Sequence, residues 1–304
     1  MRNIRFPNID DKTEFHRIAQ AKRRKKGCKQ CDDYDTDKCN ECDNNNRAVM
    51  IKMEPYISDR YDYYDQHLDC LSLIVISNKL KQNQKELLLN TFKSSEFDGI
   101  RKQIINNLPN TIKGICPFCM IGEPATLEHY LPKDSFPEYT LYSKNLIPCC
   151  HVCNSYKGTN YLNVSGARRF INYYIDDVEN KAFLKSTICI VDGIPTVDFT
   201  IDLNKDDVLY ETIISHFEYL HLFERYVNRA NSIISSILDT IVNSYSSLDN
   251  IDRIVDDSVP LLKLQLNAWM KQFGKNYWKA CVLKGIIDDQ DMFRELIRNY
   301  SFIG

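Results

Sequence analysis

Two Cys-x-x-Cys pairs, Cys116-Pro-Phe-Cys119 and Cys150-His-Val-Cys153, stand 30 residues apart near the middle of the chain. Each pair offers two thiolates at a fixed bite, and two pairs complete a tetrahedral four-sulfur zinc site with no open position. Such an ion is structural: it replaces the core that a segment of about 40 residues cannot build alone. Cys149 falls one residue out of register and is expected to pack rather than ligate. Nine of the 12 cysteines in 304 residues fall into two clusters. No apolar leader follows Met1, and the longest apolar stretch, near Leu71 to Ile76, is far too short to span a bilayer. A soluble, cytoplasmic protein with no membrane association is therefore expected, and in a reducing compartment paired cysteines are metal ligands before they are disulfides.

The other cluster, Cys28-x2-Cys31-x7-Cys39-x2-Cys42, has the same bite and predicts a second four-thiolate zinc. Its loop is acidic and follows a basic run, so it suits that run or a basic partner better than nucleic acid. Cys70, Cys189 and Cys281 are isolated and expected to be buried.

The formal charge is only −2, but it is segregated. Residues 1–27 balance at +6, 28–43 at −4, 98–170 at +3 and 171–304 at −7. Attraction to phosphate is a local field effect, so a polyanion would be held by the front and middle of the chain. The run Lys22, Arg23, Arg24, Lys25, Lys26 reads either as a phosphate-contacting arm or as a solvated helix end.

With 43% hydrophobic residues the chain can bury a sizeable core, which excludes global disorder. Helical spacing of Leu68, Leu71, Ile74, Val75, Leu80, Leu87 and Leu88 predicts one or two helices over 62–92. A shorter helix follows at 98–108, stopped by Pro109. Thr187 to Val191 and Thr196 to Ile201 read as strands turned by Asp192-Gly193. After Asp206 the pattern is mostly helical, with an apolar stripe from Ile213 to Val227 and further helices at 228–246, 256–273 and 289–299. The expected class is α+β, mostly helical. Four regions follow: 1–50, a basic arm with a zinc loop; 51–112, helical; 113–170, a zinc-stapled module; and 171–304, a hairpin with a helical accessory region.

Between the two central pairs lies Thr126-Leu-Glu128-His129-Tyr-Leu-Pro132, an alternating run that Pro132 ends. His129 therefore sits at the end of a strand. Alternation sends Glu128 and His129 to opposite faces unless the strand frays there. Asn154 follows the last cysteine and opens a helix ending near Lys157-Gly158. An imidazole, a carboxylate and an amide then converge on one point, which suits hydrolysis of a phosphodiester. A divalent cation held by one carboxylate and one amide oxygen keeps most of its water, as magnesium prefers. A neutral imidazole can take the proton from an attacking water. Lys157, with the 22–26 arm, is a candidate phosphate contact.

The string Cys-x-x-Cys, Glu-His, Asn145-Leu, Cys-x-x-Cys-Asn, Lys-Gly resembles the HNH endonuclease family, over Cys116 to Gly158. The resemblance implies a ββα-metal fold with His129 as general base and Glu128 and Asn154 as ligands of a catalytic Mg2+ or Mn2+. It further implies that Asn145 braces the loop orienting the histidine and that Cys116, Cys119, Cys150 and Cys153 hold structural zinc. The family often has Asp before the base; Glu128 is one methylene longer, which leaves direct and water-mediated ligation both open. The wording Glu128-His-Tyr-Leu-Pro-Lys133, Phe136-Pro-Glu-Tyr139, His216-Phe-Glu-Tyr-Leu and Glu224-Arg-Tyr is similar to bacterial HNH proteins encoded beside AAA or SMC-like ATPases in antiphage systems, the Septu type and retron-linked relatives among them. That likeness implies a DNA-cleaving effector in an oligomeric defence complex, with 205–304 as a partner-binding region. Two other readings stand beside it: a non-catalytic zinc module that binds nucleic acid or a partner, and an RNase using the same site.

Overall fold

Asp10 caps the first helix, its carboxylate accepting from the Thr13 N–H at 3.1 Å, and α1 runs Asp11–Ala21. The computed structural model describes residues 1–22, 45–245 and 247–300. The Cys28, Cys31, Cys39, Cys42 cluster and Arg23, Arg24, Lys25 and Lys26 lie outside the described residues. The chain divides into two units, one of Ile4–Pro109 and Pro124–Arg168, the other of Met1–Asn3, Asn110–Glu123 and Arg169–Gly304.

In the first unit α1 packs on α2 (Asn46–Gln66), whose cap Asn45 accepts from the Arg47 and Ala48 N–H groups. The pattern over 62–92 falls on two helices, the end of α2 and a later one, with chain that is not α-helical between them. A 3-10 turn at Leu68–Leu73 contains Cys70 in a non-helical conformation, extended chain follows, and α3 begins only at Gln82 and ends at Lys93. Leu71 and Ile74 are buried while Leu73, Val75 and Ile76 are exposed, so the spacing there marks no single face. Next comes α4 (Asp98–Asn106), stopped before Pro109 as the sequence suggests. Strands β1 (Thr126–His129) and β2 (Leu146–Cys149) pair antiparallel with Thr126 opposite Cys149 and His129 opposite Leu146. Helix α5 (His151–Lys157) lies on β1, and α4 lies on β2. Cys150, rather than Asn154, opens α5; Asn154 sits in its middle.

In the second unit β3 (Leu184–Val191) and β4 (Ile194–Ile201) form a hairpin. Its two-residue turn needs positive φ at both central positions, and Asp192 (54°) and Gly193 (81°) supply it. Helices α6 (Tyr210–Tyr219), α7 (Leu222–Val242), α8 (Ile251–Phe273), α9 (Trp278–Asp288) and α10 (Gln290–Tyr300) complete the unit, α7 packing on β4 and α9 on β3. Ile213, Phe217, Leu220 and Leu222 of the apolar stripe are buried; Val227 is exposed. Periodicity does not reveal α9 because seven of its eleven residues are buried and its exposed polar side is narrow, carried by Lys284 and Asp288. A Cβ at Gly285 would stand 2.9 Å from Ser186 Oγ, so glycine lets this helix approach β3. The fold is α+β and mostly helical. Cys281 is buried as expected, but Cys189 faces outward on β3 and Cys70 is half-buried; strand alternation puts position 189 opposite to the buried Ile188. Among the described residues no helix is long and apolar enough to cross a membrane.

Candidate functional site

The Sγ atoms of Cys116, Cys119, Cys150 and Cys153 lie within 4.8 Å of one another, all four residues are buried, and none is in a disulfide. Four thiolates at about 2.3 Å from a central zinc define a tetrahedron with edges of about 3.8 Å. The cluster is therefore positioned to hold one metal ion, and the donor set fits a tetrahedral, thiolate-preferring one. Cys149 is buried outside the group, its thiol directed at the Cys150 carbonyl at 3.4 Å.

The first pair is shaped by its backbone. Met120, at φ 53°, donates its N–H to Cys116 O at 2.8 Å, and the Cys116 N–H donates to Gly122 O at 2.7 Å. Three consecutive carbonyls of this turn are each capped from a different helix: Phe118 O by His216 Nε2 (2.9 Å), Cys119 O by Tyr226 OH (3.0 Å) and Met120 O by Trp278 Nε1 (3.2 Å). His216 Nδ1 accepts from the Ile171 N–H at 3.3 Å, so its proton is on Nε2. Burial lowers its pKa to about 4, and the ring is neutral. The second pair begins α5, with Cys150 Sγ accepting from the Cys153 N–H at 3.4 Å.

His129 is buried at the last position of β1. Its Nε2 is 3.0 Å from Thr140 O. A carbonyl only accepts, so Nε2 carries the hydrogen and Nδ1 carries the lone pair. Desolvation lowers the imidazole pKa to about 3, against the opposing pull of the Thr140 carbonyl, which leaves the ring neutral. The ring also meets Phe92 at the end of α3, centroids 4.6 Å apart.

Glu128, buried beside it, is desolvated toward a raised pKa while Lys157 acts in the opposite direction. The Lys157 ammonium donates to Glu128 Oε1 and to His129 O, both at 2.8 Å. Its side chain is fully buried. This corrects the reading of Lys157 as a phosphate contact: the last turn of α5 runs under β1, and the charge is spent on Glu128. Lys22 is likewise corrected, since its ammonium pairs with Glu96 at 2.5 Å and its side chain is only 10% exposed. Glu128 Oε2 accepts no hydrogen bond from the described residues.

The amide of Asn154 is oriented by a relay. Thr126 Oγ1 donates to Cys149 O at 2.9 Å and so accepts from Asn154 Nδ2 at 3.1 Å. That assignment leaves Asn154 Oδ1 without a hydrogen bond among the described residues. Asn145 is fully buried; its Oδ1 accepts from the Leu131 N–H at 2.8 Å and its Nδ2 donates to Leu131 O at 3.0 Å. This two-bond clasp fixes the chain just past His129.

Glu128, His129 and Asn154 line one cleft of about 450 Å3. Strand alternation would have separated Glu128 from His129, but β1 ends there and both reach the same space. The remaining wall was not foreseen: Phe92, Lys93 and Arg101 from α3 and α4, with Lys133 after β1. No sequence signal marks the first three, because they precede the motif by tens of residues and obey no spacing rule with it. Thr126 and Thr140 were missed as well, since each acts through a hydrogen bond that only the fold creates.

The site thus defined is a small ββα element carrying His, Glu and Asn beside a four-cysteine cluster. No protein-family model matches the chain. Over 194 residues it is 25% identical to Protein ea31 of Escherichia phage lambda, a match spanning 59% of this chain and 63% of that protein. The chain therefore covers less than two thirds of the length of that relative. No solved structure matches.

Proposed function

We propose that the protein is a metal-dependent endonuclease of the HNH type, hydrolysing nucleic-acid phosphodiester bonds, with zinc in the Cys116, Cys119, Cys150, Cys153 cluster. The observation that carries this reading is His129: a neutral imidazole whose Nε2–H is tied to Thr140 O, so that Nδ1 is the basic nitrogen, in a cleft shared with Glu128 and Asn154. Nδ1 takes the proton of the attacking water, and Thr140 O stabilises the imidazolium that results. The donor set fits a hard divalent cation, since Glu128 Oε2 and Asn154 Oδ1 are oxygens left unclaimed by the described residues. When bound, such an ion would polarise the phosphoryl group and stabilise the leaving oxygen. Lys157 holds Glu128 in place, Thr126 orients Asn154, and Asn145 with Phe92 keeps the imidazole from turning.

DNA is the substrate we propose, although base catalysis from His129 needs no 2′-hydroxyl and RNA would be attacked by the same route. A role beside an ATPase in antiphage defence is supported by the sequence resemblance alone. The test is cleavage of plasmid DNA and of RNA with Mg2+ or Mn2+. His129→Ala is expected to lose activity at least a hundredfold, the scale of general-base catalysis, while keeping the wild-type zinc content. Unchanged cleavage in that variant overturns the assignment. Binding of nucleic acid with no cleavage under any metal, and no effect of Glu128→Gln or His129→Ala, favours a non-catalytic zinc module instead.

A further inference from the structure

A phosphodiester cleft must attract a polyanion, yet two of the cations nearest to His129 are committed elsewhere. Lys157 is spent on Glu128. Arg101, which lines the cleft, is tied to the Asp98 carboxylate and the Phe92 carbonyl and lies over the Phe92 ring. Two lysines on the cleft differ from these. Lys93, the last residue of α3, is exposed, and Lys133, just past Pro132, is half-buried; neither forms an ion pair among the described residues. The charge of Lys133 acts on both Glu128 and His129, which puts it within electrostatic range of the reacting centre. The acidic residues on the same walls are Glu128, already neutralised by Lys157, and Asp134. The cleft therefore presents two uncommitted ammonium groups from two different elements.

We infer that Lys93 and Lys133 form a two-lysine clamp that grips the backbone phosphates flanking the one at His129. A lysine ammonium is a compact point charge with three donors, suited to phosphate without reading bases. The clamp rests on the reading of the cleft as a phosphodiester site. It also assigns the helical segment 82–106 a share in substrate binding that no motif of the sequence marks. Phe92 joins the two functions: its ring supports the His129 imidazole, and the next residue is the clamping lysine.

The experiment uses the full chain with His129→Ala to silence cleavage and a short fluorescent DNA duplex, titrated across roughly 50 to 200 mM salt. Adding Lys93→Gln and Lys133→Gln is expected to weaken binding about tenfold or more. The slope of log K against log salt should fall by about 2, close to one unit per lost phosphate contact. Arg at both positions should restore the slope. In the cleaving background the same Gln pair should raise KM and largely spare kcat. Unchanged affinity and slope, or no duplex binding by the parent at low salt, overturns the clamp. If Lys93 exists only to complement the carbonyl end of α3, the Gln variant loses stability without a change in slope, which also overturns it. Two outcomes separate the clamp from the nuclease reading. Binding that loses its slope in a protein that never cleaves anything retires the nuclease and keeps the clamp. Cleavage with unaltered KM and slope does the reverse.

Discussion

The ammonium of Lys157 stands 2.8 Å from Oε1 of Glu128, with the lysine side chain wholly buried. Helix α5 and strand β1 are thus joined by a charge pair whose ammonium also holds the main-chain carbonyl of His129. Removing one partner leaves the other charged group buried and uncompensated. Lys157→Met is expected to cost about 3 to 5 kcal/mol in chemical denaturation at neutral pH. Combining it with Glu128→Gln should return a substantial part of that loss, because no buried charge is left over. A loss below 1 kcal/mol in the single variant would show that the pair is solvated in solution.

The four-cysteine cluster predicts a metal count. Cys153→Ser should bind one zinc fewer per chain than the parent in elemental analysis, whatever Cys28, Cys31, Cys39 and Cys42 hold, and should melt at a lower temperature. Equal metal content in both proteins would remove the cluster as a zinc site.

Tyr226 caps the carbonyl of Cys119 at 3.0 Å from the middle of a buried aromatic group, its ring stacked on Trp278 with centroids 5.6 Å apart. Tyr226→Phe keeps the stack and removes this hydrogen bond, for a loss of about 1 kcal/mol. Zinc should also pass more quickly to a competing chromophoric chelator. An identical transfer rate would mean that this hydrogen bond does not restrain the first cysteine pair.

Asp11 is buried against Ser143, accepting from its N–H at 2.8 Å and from its hydroxyl at 2.7 Å. Desolvation raises its pKa from 3.8 to about 6, against the pull of those two donors and of Lys144. The folded state therefore holds this proton more tightly than the unfolded chain does. The stability it contributes is complete below about pH 4 and is lost as pH rises through about 6. Asp11→Asn should be more stable than the parent above pH 6, by up to about 3 kcal/mol, with the difference shrinking toward pH 4. Parallel stability curves over that range would contradict the assignment.

The motif segment was legible because its chemistry is local. The bite of each Cys-x-x-Cys pair and the stop at Pro132 act over short stretches, so β1 and the presence of a short helix after the second pair could be read from residue order. The hairpin at Asp192-Gly193 was legible for the same reason, since positive φ at two adjacent positions is a property of the turn itself. The bounds of the non-α-helical stretch at 67–81 and the existence of α9 were not, because exposure at Leu73 and Val75 and burial of seven of the eleven α9 residues depend on neighbours that spacing does not name.

By itself, then, the sequence determined which atoms could do chemistry: four thiolates, one imidazole, one carboxylate and one amide in a fixed order. Tertiary structure alone decided what each is free to do. It turned Lys157 inward onto Glu128, gave the His129 proton to Thr140, and oriented Asn154 through Thr126. It also brought Phe92 and Lys93 from α3 to the wall of the cleft. The reason is that desolvation and hydrogen-bond direction belong to the neighbours a side chain meets in space, and those neighbours come from parts of the chain that the spacing of a motif does not constrain.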